Sequence, residues 1–118
     1  MMALLLLPST AMTKDSISQE ELAKIEFLIA SVEKQKDAQF IRNGKAYKAD
    51  IAGRFLRGKW KAKSKEILTA EDFIGKVATM SSTTGKPYLI RFADGKEMGS
   101  GEYLRGLLGA IEGADEAP

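Results

Sequence analysis

The dipeptide Asn43-Gly44 is the feature that most restricts how this chain can fold. It lies between two strand-like runs, 40–42 and 45–47. An Asn-Gly pair between such runs is the strongest short-range signal for a β-hairpin, because both turn positions require positive φ. The sequence therefore predicts a hairpin in which Phe40 faces Tyr47. Two strands alone are marginally stable, so we expect a third strand or a helix to cover them.

Four amphipathic helical patterns surround this hairpin. The first opens with a capping box at residues 18–21 and runs to about Lys34. The second begins near Ala49 and carries an apolar side formed by Ile51, Ala52, Phe55, Leu56 and Trp60. The third has Thr69 as its N-cap, and the fourth is capped by Ser100.

A second hairpin is predicted between the third and fourth helices. Residues 88–92 read as a strand, and the turn at Asp94-Gly95 leads into a short partner. The predicted fold class is therefore α+β, with about four helices packed on a small antiparallel sheet built from one or two hairpins. We expect a leader remnant or disordered tail over residues 1–13, one α+β domain over 14–113 and a frayed acidic tail over 114–118.

The composition excludes several kinds of chemistry. The chain has no histidine and no cysteine. A Ser-His-Asp triad, an H-E-x-x-H zinc site, a thiolate metal site and a disulfide framework are therefore impossible. The sequence predicts neither a metal nor a cofactor, although chemistry based on Asp, Glu, Lys or Tyr remains open. The acidic pairs 20–21 and 71–72 lie at helix starts, where capping explains them.

A hydroxyl-rich loop is one candidate binding site. Its candidate residues are Ser81, Ser82, Thr84, Gly85 and Lys86, and they precede the strand at Tyr88. Backbone N–H groups beside a lysine can hold an anion. The loop is not a nucleotide-binding P-loop, because that motif requires glycine at Met80 and a hydroxyl residue at Pro87. A plain connection between a helix and a strand is the alternative.

A basic face on the second helix is the other candidate. Residues 42–65 contain nine basic residues and one acidic residue, whereas the net charge of the whole chain is only +2. The spacing of Arg54, Arg57, Lys61 and Lys65 predicts one line along the helix, widened by Lys59 and Lys63. Such a face can bind nucleic acid, an envelope polyanion or an acidic protein. The alternative is a solvated face whose lysine stems cover apolar surface.

The N-terminus resembles a shortened export signal. An apolar run at residues 1–7 is followed by Pro8-Ser9-Thr10-Ala11, whose small residues are spaced as in a signal-peptidase site. No basic residue precedes the run, and the run is too short to span a bilayer, so we expect no transmembrane segment. The predicted location is periplasmic or secreted, or cytoplasmic if Met1 is the true start and no leader exists.

Several short strings, taken in order, resemble the YfeK-like family of small exported bacterial proteins. The resemblance spans roughly residues 18–111 and is carried by Phe40-Ile41-Arg42-Asn43-Gly44, Leu56-Arg57-x-Lys59, Thr69-Ala70-Glu71-Asp72-Phe73-Ile74 and Ser81-Ser82-x-x-Gly85-Lys86-Pro87-Tyr88. It implies a secreted or periplasmic protein with a cleaved leader. The family is classed as a domain of unknown function, so the resemblance implies no activity, ligand or catalytic residue.

These observations favour a non-catalytic binding or accessory protein of the cell envelope. Its partner would be an envelope polyanion or an acidic protein. One alternative is a cytoplasmic nucleic-acid-binding domain that uses the basic face of the second helix, and export would argue against it. The other alternative is an enzyme of unrecognised type that uses Asp, Glu, Lys or Tyr.

Export predicts a processed N-terminus. We expect the gene to encode an upstream basic segment and the mature protein to begin near Met12, because the leucine run ends in Ser9-Thr10-Ala11. Mass spectrometry of the native protein checks this. Recovery of an intact cytoplasmic protein that retains Met1, from a gene with no upstream reading frame, would contradict it.

Overall fold

The computed structural model describes residues 16–116, which form helices, short helical turns and one sheet. In chain order these are α1 (Gln19–Lys34), β1 (Gln39–Arg42), β2 (Lys45–Tyr47), α2 (Ala49–Ala62), a 3-10 turn (Ser64–Glu66), α3 (Ala70–Phe73), a π-helical turn (Ile74–Ala78), β3 (Leu89–Arg91), β4 (Glu97–Gly99) and α4 (Ser100–Glu116). Four α-helices and two hairpins within this range confirm the predicted α+β class. The predicted leader segment 1–13 lies outside the described residues. The backbone of α4 continues through 114–116.

The sheet is antiparallel throughout, with the strand order β2-β1-β3-β4. The predicted register of the first hairpin is confirmed, because Phe40 pairs with Tyr47. Asn43 and Gly44 have φ values of 52° and 79°, as the two-residue turn requires. The second hairpin joins β3 to β4 through the predicted Asp94-Gly95 turn. Pairing of β1 with β3 unites the two hairpins in one sheet.

The core lies between the helices and the sheet. Four residues of α1 are buried at helical spacing, namely Ile25, Leu28, Ile29 and Val32. They belong to one cluster with Phe73 and Leu104 from the later helices and with Ile90 from β3. The predicted N-caps at Ser18 and Thr69 are confirmed, since Ser18 Oγ accepts the Glu21 N–H at 3.2 Å and Thr69 Oγ1 accepts the Asp72 N–H at 2.9 Å. Ser100, the third predicted cap, is instead the first residue of α4.

One local prediction was wrong, and one predicted helix departs from regular α-helical geometry. Ile51 was assigned to the apolar side of α2, but it is 37% exposed, whereas the next residue, Ala52, is buried. A helix turns about 100° per residue, so Ile51 lies outside the strip that meets the core. The third helix is regular only as far as Phe73, after which it widens into the π-helical turn. The hydroxyl of Thr79 donates to the Ile74 carbonyl oxygen at 2.7 Å and closes that turn.

A polar cluster ties three helices together at the end of the molecule near Glu21. One carboxylate oxygen of Glu21 accepts the backbone N–H of Ala70 at 2.8 Å. The other lies 3.0 Å from Lys24 Nζ, which also lies 3.1 Å from Glu112 in α4. The hydrogen bond from Ala70, assisted by Lys24, lowers the pKa of Glu21 below its usual range. Glu21 and then Glu112 raise the pKa of Lys24.

The lowered pKa of Glu21 predicts a pH-dependent stability. Its ionised form favours the folded state, so the contribution is complete above the unfolded pKa of roughly 4.3 and is lost as pH falls through the lower folded pKa. We expect Glu21→Gln to reduce the free energy of unfolding at pH 7, because it weakens the contacts to Ala70 and Lys24. The loss should be on the order of 1 kcal/mol, since the carboxylate is partly exposed and solvent screens its charge. Urea unfolding at pH 7 and pH 3 checks this.

The difference in the free energy of unfolding between Glu21→Gln and wild type should be smaller at pH 3 than at pH 7. Glu20→Gln is the matched control, since Glu20 is exposed and makes no hydrogen bond to another described residue. It removes the same charge one residue earlier. A difference of equal size at both pH values would show that the Glu21 carboxylate does not contribute through its ionisation.

Candidate functional site

Two surface cavities lie side by side where α2 crosses the sheet. The larger, called here the groove, is about 370 Å³ and lies between α2 and the strands β1 and β2. The smaller, called here the basic pocket, is about 210 Å³ and lies between the second half of α2 and residues 81–83. Arg42, Phe55 and Tyr88 line both cavities. These three side chains therefore form the boundary between an apolar space and a polar one.

Arg42 is the cation at this boundary. Its Nε is buried and has no hydrogen-bond partner among the described residues. No described carboxylate forms an ion pair with it. The guanidinium carbon lies 4.2 Å from the centre of the Phe55 ring, which gives partial compensation through a cation–π contact. A partly buried cation normally has an anionic partner, so Arg42 has unused binding capacity.

The strand pairing places a second cation beside Arg42. Lys45 is its direct partner across β1 and β2. Like charges at directly opposed positions destabilise a sheet, and neither Arg42 nor Lys45 forms an ion pair with a described acid. Lys45 is exposed and lines neither cavity, so it adds positive charge near Arg42 without entering the site.

Lys59 of α2 and Lys63, the C-cap residue of that helix, line the basic pocket. Lys59 Nζ donates to the Met80 carbonyl oxygen at 2.9 Å and to the Tyr88 hydroxyl at 3.0 Å. It also lies 4.9 Å from the centre of the Tyr88 ring. Lys63, four residues later, makes no side-chain hydrogen bond to a described residue. Neither cavity has an acidic lining residue in the described part of the chain.

The hydroxyl-rich loop is held mainly by its own hydrogen bonds. Ser81 is buried, and its hydroxyl oxygen accepts the N–H groups of Thr83 and Thr84, each at 3.3 Å. The N–H of Gly85 donates to the Ser81 carbonyl oxygen, and the N–H of Lys86 donates to the Thr84 hydroxyl. The backbone N–H groups of Ser81 and of residues 83–86 are thus already used within the loop. Ser81 and Ser82 line the basic pocket, whereas Thr84, Gly85 and Lys86 do not.

The turn of the first hairpin is joined to this loop. The Thr84 hydroxyl donates to Asn43 Oδ1 at 2.6 Å, and Asn43 Nδ2 donates to Ser81 Oγ at 3.5 Å. Asn43 follows Arg42 directly, so these bonds fix the position of the arginine relative to the loop. The turn and the loop were each identified from the sequence separately, but nothing in the sequence indicated that they are in contact.

The structure does not bring the four predicted residues of the basic face into one free row. Arg57 forms ion pairs with Glu26 at 2.7 Å and Glu33 at 3.3 Å in α1. These two acids raise the pKa of Arg57, with Glu26 contributing more. Arg54 lies 3.4 Å from Asp50.

The remaining two residues of that face are separated by the end of the helix. Lys61 is exposed on α2, but α2 ends at Ala62, and Lys65 lies in the following 3-10 turn. The residues that do assemble are Arg42, Lys59 and Lys63. All three belong to the basic segment 42–65 identified from the sequence, but they come together only because of how α2 packs on the sheet.

A glycine allows α2 to approach α1 closely. A Cβ atom on Gly53 would overlap Cγ and Oε2 of Glu33, one of the two partners of Arg57. The absence of a side chain at Gly53 therefore allows both the close contact and the ion pair. By contrast, a Cβ on Gly58 would meet nothing within 4 Å.

Together these features define a small α+β protein with a cation-lined, ligand-sized cavity on one side of its sheet. Within residues 16–116 no helix has the combined length and apolarity needed to cross a membrane, and no group of three acidic side chains is placed to hold a metal ion. A model described as "Family of unknown function (DUF5329)" matches residues 19–112, and the chain belongs to this family.

A curated relative agrees with this assignment. The chain is 41% identical over 85 residues to "Uncharacterized protein YfeK" of Salmonella typhimurium (strain LT2). The aligned region covers 72% of this chain and 68% of the relative. No solved structure matches the chain. The predicted membership in a YfeK-like family of unknown function is confirmed.

The two glycines of α2 give a matched pair of variants. We expect Gly53→Ala to lower the free energy of unfolding by on the order of 1 kcal/mol, because displacement of Glu33 outweighs the gain in helix propensity. Gly58→Ala should raise it by up to about 1 kcal/mol through that propensity alone. Urea unfolding of both variants checks this. Stabilisation by both would mean that Glu33 moves without cost.

Proposed function

We propose that this protein is a non-catalytic binding protein of the cell envelope that takes up an anionic ligand at Arg42. The observation that carries the proposal is the guanidinium of Arg42, which lies between two cavities with a buried Nε that has no described partner. Guanidinium groups present several N–H donors in one plane and bind carboxylates and phosphates with two parallel hydrogen bonds.

The charges around Arg42 support an anion. Lys59 and Lys63 line the same pocket, and the hydroxyls of Ser82 and Thr83 add donors at its exposed rim. Because no acidic side chain among residues 16–116 lines either cavity, an incoming anion meets attraction from every charged group that lines them. Within the described residues, the same feature removes Asp and Glu from the enzyme alternative at this site and leaves only lysine and tyrosine side chains for acid–base chemistry.

The basic face of α2 is a weaker candidate for a polyanion. Arg54 and Arg57 are engaged with acids, so a polyanion would have to displace those contacts before it gained new ones. A nucleic-acid-binding role would depend on this face. The envelope location is the one predicted from the N-terminal run, and it favours a ligand present outside the cytoplasm.

Titration with small anions tests the proposal. We expect inorganic phosphate and butanoate, each added at constant ionic strength, to shift the Arg42 side-chain N–H signal in ¹⁵N–¹H spectra. Arg42→Gln should weaken binding by at least about tenfold, as loss of a charge-assisted hydrogen bond implies. Arg42→Lys keeps the charge but loses the planar fork, so it should recover only part of the affinity.

A double variant separates the pocket from general charge. Lys61→Gln combined with Lys65→Gln removes two exposed cations that line neither cavity. It should bind both anions as wild type does, and thermal unfolding confirms that each variant is folded. Unchanged binding by Arg42→Gln, or equal loss in the double variant, would show that the anions follow overall charge and would overturn the proposal.

A further inference from the structure

We propose that the ligand is a single-chain amphiphile, a straight-chain carboxylate whose head group binds Arg42 and whose alkyl chain fills the groove. This inference rests on the proposed function and adds the class of ligand. The observation behind it is that Arg42 lines both cavities, so one molecule can reach the cation and the apolar space together.

The walls of the groove are largely apolar and come mainly from the sheet and from α2. The sheet side provides Phe40, Tyr47 and Tyr88, and α2 provides Ile51, Ala52 and Phe55. The volume of about 370 Å³ is within the range of small-molecule sites. Ile51 is among the exposed large hydrophobic residues of the described chain, and burial by an alkyl chain would remove it from water.

Charge locates the head group at one end of the groove. The charged residues that line the groove are Arg42 and Arg54. Arg54 is exposed and lies 3.4 Å from Asp50, whereas Arg42 has no carboxylate partner among the described residues. A carboxylate is therefore attracted to Arg42, and its chain extends from there between Phe55 and the strands.

The groove suits an alkyl chain better than a peptide. A bound peptide would bring N–H and C=O groups into a space with few hydrogen-bonding side chains, and unpaired peptide groups are costly to bury. The hydroxyl of Tyr88, one of the polar side chains present, accepts from Lys59 and keeps a single O–H donor for a ligand. Of the two strands beside the groove, β1 is paired on both sides, so a peptide cannot add to it as a further strand, whereas β2 is an edge strand.

A chain-length series tests the inference on the full protein. Butanoate, hexanoate and octanoate are titrated by calorimetry at constant ionic strength and below micelle formation. We expect the affinity to rise about fourfold for each CH₂ that enters the groove, until the groove is full. Octanamide has the same chain without the charge and should bind at least about tenfold more weakly than octanoate.

Two substitutions connect this effect to the groove. Ile51→Ser removes an apolar wall residue and should reduce the dependence of affinity on chain length. Phe27→Ser is the matched control, because Phe27 is also an exposed large hydrophobic residue but lies on α1 and does not line the groove. The control should show the wild-type dependence.

The outcomes separate this inference from the proposed function. Butanoate and octanoate binding with equal affinity through Arg42 would overturn the amphiphile and leave the anion site standing. Failure of both carboxylates to bind while phosphate still binds through Arg42 would overturn the amphiphile alone, and failure of phosphate as well would overturn both proposals. Equal binding of octanamide and octanoate would show an apolar cleft without a head-group site. Tighter binding of acetyl-Ala-Leu-Leu than of octanoate would identify a peptide C-terminus as the occupant and would also overturn the amphiphile.

Discussion

The contact between α1 and α2 determines where the candidate site lies. Gly53 lets the two helices approach, and Arg57 then binds acids of α1 from the same side of α2. This orientation leaves Phe55 and Lys59 above the sheet, where they meet Arg42 and Tyr88. The helix is thus held on one side by α1 and on the other by a few aromatic and cationic contacts, and the two cavities remain between those contacts. A different rotation of α2 would separate the cations from the groove.

Arg42 shows how a local conflict is tolerated within an otherwise consistent fold. Its neighbour across the strands is another cation, its Nε is buried without a described partner, and its compensation is the face of an aromatic ring. Local rules are most often violated at functional sites, where the surrounding structure supports the strain. A ligand that satisfies such a group binds the folded state alone, so it would also stabilise the protein by mass action.

Local chemistry made much of the fold predictable. The register of the first hairpin and the caps at Ser18 and Thr69 depend on residues within a few positions of each other, so the sequence carries them directly. The site was harder to predict from the sequence, because Arg42, Lys59 and Ser82 come from three segments that are brought together by tertiary packing. The pattern of the basic segment suggested a continuous helical face, whereas α2 ends before Lys65 and α1 supplies acids to Arg57. The spacing of basic residues in the sequence reveals neither the end of the helix nor the acidic partners from α1.

The double role of Asn43 restricts how this part of the protein can evolve. The residue has positive φ in the turn, and its amide also accepts from Thr84 and donates to Ser81. Glycine would satisfy the backbone but contribute no amide, and aspartate would offer an acceptor but no donor. A substitution in the loop would therefore change which residues are acceptable at the hairpin turn. Positions 43 and 84 should covary among relatives, although they lie 41 positions apart in the chain.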